Sequence, residues 1–199
     1  MQIDDAFLDW FVGFIEGEGN FGIRAIIDKG HHKQNQRGTS RLKFTPSFKI
    51  AITDKATIED IHRKLDFGYT REQSKEVWTE RSPRASNQYN FYINSVCDAQ
   101  RFINLVSPDR FRTRKKNDYI LWIEGFEIIK KREHLTYDGA MRLFTIRDLM
   151  NKSNGKGKPS TYRTAAWGKK FLDEHMDVFS PQKLKLRMIM CKAVRKKEE

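Results

Sequence analysis

An apolar stretch near the start of the chain, DWFVGFIEGEGNFGIRAII (residues 9–27), contains four glycines and two acidic residues. They are Gly13, Glu16, Gly17, Glu18, Gly19 and Gly22. Residues 5–17 carry apolar side chains on nearly every side, which predicts a helix that must be covered all round. From Phe21 the apolar period changes to two, which predicts a strand. The segment therefore joins a buried helix to a strand, with two carboxylates at the junction.

The position of these acids is costly unless a cation offsets it. The last turn of a helix exposes unpaired carbonyl groups and a partial negative charge, so a carboxylate there is disfavoured by roughly 0.3–1 kcal/mol. A hard divalent cation, which prefers oxygen ligands, would offset that cost. Gly13 and Gly17 lie four apart on one helix face, and this spacing lets a second helix approach backbone to backbone. The pattern predicts two closely packed helices that deliver carboxylates and carbonyl oxygens to a metal ion.

Three other interpretations of the glycines explain less. GEGNFG (residues 17–22) fits a dinucleotide-binding loop, but that loop follows a strand and opens a helix, the reverse of the order here. Residues 17–23 together with Asp66-Phe67-Gly68 resemble two kinase motifs, yet the kinase catalytic loop and lysine-bearing strand motif are absent from the sequence. A plain core helix with a glycine C-cap accounts for the glycines but not for the acids.

The order of predicted elements through residue 131 is α-β-β-α-β-β-α-α, an α+β fold. Thr53 or Asp54 opens the second helix, and Pro46 indicates an edge or a bulge in the second strand. We expect a core domain over residues 1–131 and a helical extension over 132–199, with a flexible basic linker at 151–160 and a last helix opened by Ser180. Beyond the first helix, the predicted elements are strands at 21–27, 42–52, near 67–81 and at 88–94, and helices from 53 or 54, around 97–106 and at about 113–131.

Charge limits the class of partner. The chain of 199 residues has 38 Lys and Arg against 26 Asp and Glu, a formal net charge of +12. The cations recur along the whole length, so the expected partner is polyanionic, nucleic acid first and an anionic membrane second. No apolar run reaches membrane-spanning length.

Cysteine usage and the first residues bear on the compartment. Cys97 and Cys191 lack the spacing of a disulfide framework or a zinc site, which favours a reducing compartment. Asp4 and Asp5 stand where a signal peptide would be basic. We expect an intracellular protein that is not secreted, in a chloroplast or mitochondrion or elsewhere in the cell.

One motif makes a family resemblance specific. FVGFIEGEG (residues 11–19) resembles the signature of the LAGLIDADG homing endonucleases, with Gly13, Glu16, Glu18 and Gly19 in register. EHLTYDGAMRLFTIRDLMN (residues 133–151) resembles a C-terminal segment common in intron-encoded members. The resemblance implies an αββαββα fold with an antiparallel, saddle-shaped sheet plus C-terminal helices. It also implies a site-specific endonuclease that makes a double-strand break in a long, near-palindromic DNA target by metal-dependent phosphodiester hydrolysis.

The number of signatures bears on the assembly. Family members with two signatures act as monomers and those with one act as homodimers. The sequence has one, because ILWIEGFEII (residues 120–129) lacks the glycine-acid-glycine ending and is typical of a core helix. The resemblance therefore implies a two-fold homodimer on a near-palindromic site. Its predicted interface residues are Phe11, Gly13, Phe14 and Gly17.

The resemblance also implies catalytic roles. Glu18 corresponds to the metal-binding acid, usually Asp in the family, and Gly17 offers the preceding carbonyl to Mg²⁺, for which Ca²⁺ or Mn²⁺ can substitute. Glu16 is expected to be structural, tied near the helix end. The family places a lysine near the start of a later helix; Lys115 fits best, with Lys116 and Arg114 as rivals and phosphate anchoring as an alternative role for the cluster. Thr53 and Asp54 stand where a glutamine is often found, and no role is assigned to them.

The polar strand faces are the expected DNA-reading surface. Arg and Lys suit guanine and Asn and Gln suit adenine, and we expect roughly half of these side chains to touch only the DNA backbone. The alternative function is a non-cleaving DNA or RNA binder, such as a group I intron maturase, with intron RNA as a partner. The predicted DNA-binding residues are Arg24, Lys43, Lys49, Arg71, Gln73, Arg81, Gln88, Asn90 and Lys116.

Overall fold

The computed structural model describes residues 3–28, 41–74, 86–152 and 164–174. The chain forms two compact units, Met1–Phe126 and Glu127–Glu199. The predicted division between residues 131 and 132 stays a prediction.

Helices and strands follow one another in the first unit as the sequence predicts, α-β-β-α-β-β-α-α. The order and the α+β class are thereby confirmed. The elements are α1 (Asp5–Glu18), β1 (Gly19–Asp28), β2 (Arg41–Ile52), α2 (Lys55–Leu65), β3 (Tyr69–Gln73), β4 (Gln88–Ile93), α3 (Val96–Leu105) and α4 (Lys115–Lys130), the last of which runs into the second unit.

Aspartate caps fix where the first two helices begin. The Asp4 carboxylate accepts a hydrogen bond from the Phe7 amide at 2.7 Å, and the Asp54 carboxylate accepts one from the Ala56 amide at 3.0 Å. Such caps satisfy amides that have no partner inside the helix. Asp54, rather than Thr53, is therefore the residue that opens α2.

The four strands form one antiparallel sheet in the order β1-β2-β4-β3. Alternate side chains point to opposite faces of a strand. One face carries Phe21, Phe48 and Phe91, all buried. Within the described residues β2 pairs with β4 only from Phe48 to Ile52. Pro46 therefore lies where β2 has a partner on one side, as its missing amide hydrogen requires.

Aromatic rings join the sheet to the helices of the first unit. The Phe48 ring lies 4.9 Å from Phe21 and 5.0 Å from Phe102 of α3, and the Phe21 ring lies 5.0 Å from Tyr119 of α4. The Tyr119 hydroxyl donates to the Val106 carbonyl at 2.7 Å, and burial raises the pKa of Tyr119. This packing holds the N-terminal half of α4 against the sheet.

The second unit contains α5 (Tyr137–Lys152) and α6 (Ala165–Glu174). The Asp148 carboxylate accepts from the Ala165 amide at 2.9 Å and so holds the start of α6. The predicted linker begins inside α5, and its residues 153–160, like the helix predicted from Ser180, lie outside the described residues. None of the helices described is long and apolar enough to cross a membrane.

Candidate functional site

The two acids at the end of α1 have different environments. The Glu16 carboxylate accepts hydrogen bonds from the backbone amides of Arg112, at 2.7 Å, and Thr113, at 2.5 Å. Glu18 is exposed and forms no hydrogen bond or ion pair with the described part of the chain. The Glu18 carboxylate is therefore open to a ligand, whereas one oxygen of Glu16 is committed to two backbone amides.

The bonds to Glu16 are reflected in its acidity. Burial raises its pKa, but the hydrogen bonds from Thr113 and Arg112 together outweigh burial and leave the pKa below its ordinary value of 4.5. A carboxylate that accepts backbone hydrogen bonds is stabilised in its charged form. Glu16 is thus held, charged, at the segment that leads into α4.

Acid is expected to remove the stability that Glu16 contributes. Because the folded pKa lies below 4.5, the contribution is complete above that pH and is lost as the pH falls through the folded pKa. In urea unfolding below pH 4.5, lowering the pH should reduce the free energy of unfolding less for Glu16→Gln than for the unsubstituted chain. Parallel losses in the two proteins would contradict this prediction.

Lys115 reaches the same end of α1. Its ammonium Nζ donates to the Gly19 carbonyl at 2.7 Å, while Lys116 Nζ lies 3.1 Å from the Asp109 carboxylate. Arg114 is exposed. The geometry therefore favours Lys115 over its two rivals as the cation at the end of α1; its catalytic role stays a prediction.

Gly19 makes the turn from α1 directly into β1. A Cβ at this position would lie 2.6 Å from the Ile15 carbonyl oxygen and 2.8 Å from its Cγ2, closer than real contacts allow. The close approach of backbone to backbone therefore requires glycine. As a result Glu18 stands one residue before the sheet, at its edge.

The two glycines earlier in α1 lie on an open face. A Cβ at Gly13 or Gly17 would meet no atom of the described chain within 4 Å, and both residues are exposed. Trp10 is 46% exposed, and its ring stacks on Phe14 at 5.3 Å. No described residue therefore covers this apolar helix face with its two glycines.

Phe11 does not belong to that open face, so its role as an interface residue stays a prediction that the structure does not favour. It is fully buried in its own chain, where its ring stacks on Phe7 at 5.6 Å and meets the edge of Phe102 at 6.2 Å. Trp10 is the large apolar side chain that the open face carries. Sequence reasoning missed Trp10, although its spacing of three from Gly13 places both on one face.

The sheet register places seven predicted DNA-binding residues on one face, opposite the aromatic core. Successive cross-strand pairs such as Asn20↔Lys49 and Lys49↔Tyr92 link this face across the strands. Arg81 lies outside the described residues, and Lys116 is on α4. The seven are Arg24, Lys43, Lys49, Arg71, Gln73, Gln88 and Asn90.

Asn90 differs from the other six because it is fully buried. Its side-chain amide donates to the carbonyls of Arg71, at 3.1 Å, and Gln88, at 3.3 Å. It therefore fastens β3 to β4 beside Arg71. A DNA contact by Asn90 stays a prediction that this burial does not favour.

A row of side chains crosses the polar face near Glu18. Asn20, Lys49, Tyr92 and Tyr69 are successive cross-strand partners, and Asn20 follows Glu18 by two residues. Lys49 Nζ lies 5.6 Å from the centre of the Tyr92 ring, and Tyr92 stacks on Tyr69 at 5.1 Å. Burial lowers the pKa of Lys49. The predicted DNA-binding residues do not include these two tyrosines, although each lies two positions from one of them on the same strand face.

The described residues offer part of a metal-ligand set in this region. Across the residues that the structure describes, no three His, Cys, Asp or Glu side chains cluster to hold an ion. The end of α1 offers the exposed Glu18 carboxylate and the carbonyls of the last helical turn, including that of Gly17, which lack partners within a helix. These oxygen donors fit a hard divalent cation, and a second α1 packed on the open face would duplicate them.

The family is established by a match over more than half of the chain. The family model described as LAGLIDADG endonuclease matches residues 11–126. The chain belongs to the LAGLIDADG endonuclease family, as the resemblance of residues 11–19 predicted. The segment 133–151, whose resemblance was separate, lies beyond the matched range.

Solved structures share the fold. An archaeal intron-encoded homing endonuclease, I-Vdi141I, complexed with DNA is 21% identical, with a TM-score of 0.66 over 86% of this chain and 98% of that chain. The homing endonuclease I-TnaI is 19% identical, with a TM-score of 0.60 over 87% and 99%. I-SmaMI, bound to an uncleaved DNA target in the presence of calcium ions, is 17% identical, with a TM-score of 0.58 over 80% and 51%. No curated protein matches the chain.

Proposed function

We propose that this chain is a site-specific homing endonuclease. Acting as a homodimer on a long, near-palindromic duplex, it hydrolyses one phosphodiester in each DNA strand. The observation that carries the proposal is that two groups meet at the end of α1, beside a polar sheet face: the exposed Glu18 carboxylate, which has no partner among the described residues, and the Lys115 ammonium, which donates to the carbonyl of the next residue, Gly19.

The polar face of the sheet is the proposed DNA-binding surface. Arg24 of β1, Lys43 of β2 and Arg71 of β3 are all exposed on it. Cationic side chains on the phosphate backbone supply affinity, and those that reach base edges supply sequence preference. The DNA-bound state of the similar I-Vdi141I and I-SmaMI structures supports this assignment.

Each chain would contribute the same groups to the reaction. Glu18 and the Gly17 carbonyl would hold a divalent ion, Mg²⁺ with Ca²⁺ or Mn²⁺ as substitutes. When bound, such an ion supplies an activated water and neutralises charge on the phosphate. The Lys115 ammonium has three donors, of which one is directed to Gly19, so it can also donate to a phosphate oxygen and stabilise the charge that develops there.

The homodimer is inferred from the open face of α1. An exposed apolar face on an otherwise buried helix requires a cover, and the two glycines allow a close helix. A second copy of the chain supplies a matching face by two-fold symmetry. It also brings a second Glu18, which completes the proposed pair of carboxylates.

Cleavage of the intron-free host gene tests the proposal. The protein is incubated with Mg²⁺ and duplex DNA of that gene, and the same gene carrying its intron is the control. We expect one double-strand break in the intron-free duplex and none in the control. An intact duplex combined with tight binding of the intron RNA would replace the proposal with the maturase function.

A further inference from the structure

The segment before α4 is attached along the length of α1. Near the start of α1, the Arg110 guanidinium donates to the Asp5 and Asp9 carboxylates at 2.5 and 2.6 Å. Near its end, Glu16 accepts from the amides of Arg112 and Thr113. Residues 110–113 therefore follow α1 from its first turn to its last.

The last attachment leads directly to Lys115. Thr113, held by Glu16, accepts the Lys115 amide on its hydroxyl at 3.2 Å and the Lys116 amide on its carbonyl at 3.1 Å. The Lys115 side chain extends to the end of α1, where its Nζ donates at 2.7 Å to the carbonyl of Gly19, the first residue of β1. A chain of hydrogen bonds thus runs from Glu16 through Thr113 and Lys115 to Gly19, and it begins and ends at the C-terminal end of α1.

We propose that Glu16 is a positioning residue for Lys115. Its carboxylate fixes the start of α4, and through that turn it holds the Lys115 ammonium beside Glu18. This inference rests on the proposed nuclease function. It also explains why the second acid stands at the end of α1: the charge of Glu16 faces backbone amides at the start of another helix, where a negative charge is favourable.

Positioning matters here because a lysine stem is flexible. A free lysine has many rotamers, and their loss opposes any single placement of the ammonium. The fixed turn at Thr113 and the Gly19 carbonyl remove most of that freedom before DNA binds. A neutral glutamine at position 16 accepts weaker hydrogen bonds than a carboxylate, so the turn loosens while the side-chain volume is kept.

A double-mutant cycle tests the link between Glu16 and Lys115. Cleavage rates are measured in single turnover on duplex saturated with protein, for Glu16→Gln, Lys115→Met and the double variant. We expect Glu16→Gln to slow cleavage by roughly 10–100-fold, the usual effect of a group that orients a site residue, with duplex binding in Ca²⁺ changed by less than about threefold. In the Lys115→Met background the same change should cost less than about threefold.

A matched control separates the link from loss of charge. Asp60→Asn removes an acid from α2, where Asp60 pairs with Lys64, and it should leave the rate unchanged. If Glu16→Gln slows cleavage equally with and without Lys115, Glu16 does not act through Lys115 and the inference fails. If the unsubstituted protein cleaves no duplex, it is the proposed function that fails.

A second measurement needs neither DNA nor metal. NMR spectra of the protein labelled with ¹⁵N report the Lys115 side chain and the exchange of the amides of Arg112 and Thr113. We expect Glu16→Gln to speed exchange at these amides and to shift the Lys115 Nζ signal, and Glu16→Asp to produce a smaller change of the same kind. An unchanged Lys115 signal with faster amide exchange would overturn the inference, because Glu16 would then hold only the backbone.

Discussion

Replacing Glu18 with glutamine is expected to abolish double-strand cleavage while the protein still folds and binds duplex DNA. The Glu18 carboxylate is exposed and forms no hydrogen bond or ion pair with the described residues, so the fold does not depend on its charge. Loss of an anionic metal ligand removes several kcal/mol of transition-state stabilisation, which corresponds to on the order of 10³-fold in rate. The measurement is single-turnover cleavage in Mg²⁺, with duplex binding in Ca²⁺ followed by gel shift.

Two further variants sharpen this test. Glu133→Gln removes an exposed glutamate from the second unit and should cleave normally. Glu18→Asp introduces the acid that the family usually carries, and it should retain cleavage because a carboxylate is kept. Double-strand cleavage that survives Glu18→Gln would refute the catalytic assignment of Glu18.

The candidate site at the end of α1 could be predicted from sequence because its signals are local. The change of period at Phe21 marked the junction of helix and strand, and the two acids and Gly19 lie within the five residues before Phe21. The family resemblance placed Lys115 near the predicted active site, and in the structure its ammonium group reaches the end of α1. The strand alternation likewise put the polar residues on one face before the strand order was known.

Other features depend on contacts that no local pattern contains. The partners of Glu16 lie 96 and 97 residues away in the chain. The order β1-β2-β4-β3 places β4 between β2 and β3. Asn90 of β4 therefore lies between Ala51 of β2 and Arg71 of β3. Which strands meet is decided by the whole fold, so an amide that looked available for DNA is enclosed by its neighbours.

The prediction of Phe11 as an interface residue also lacked information that only the fold contains. A helix that is apolar all round gives no periodic signal for which side meets its own core and which meets a partner. Phe11 and Trp10 are adjacent in the sequence, yet one is fully buried and the other is 46% exposed. Only the positions of α3 and the sheet distinguish them.

Replacing Gly13 with leucine is expected to divide the homodimer and to abolish double-strand cleavage. A Cβ at Gly13 meets no atom of the described residues within 4 Å, so we expect the protomer to accommodate leucine. In the proposed dimer the same side chain lies between two closely packed helices, and overpacking of this kind costs about 1–3 kcal/mol for each copy. We expect the dimer dissociation constant, measured by analytical ultracentrifugation, to rise by roughly 100-fold or more.

Gly13→Leu is a decisive test, because a protein that acts as a monomer and one that acts as a dimer should respond to it in opposite directions. Leucine is preferred to glycine in a helix by roughly 0.5–1 kcal/mol, so a protein that acts as a monomer should gain thermal stability and keep its cleavage activity. A protein that acts as a dimer should lose both the assembly and double-strand cleavage. Ala56→Leu, at an exposed position of α2, adds the same apolar bulk away from this face and should leave both properties unchanged. Because a lone protomer holds one Glu18, loss of the second strand cut together with loss of the dimer would tie the open face of α1 to the chemistry at its end.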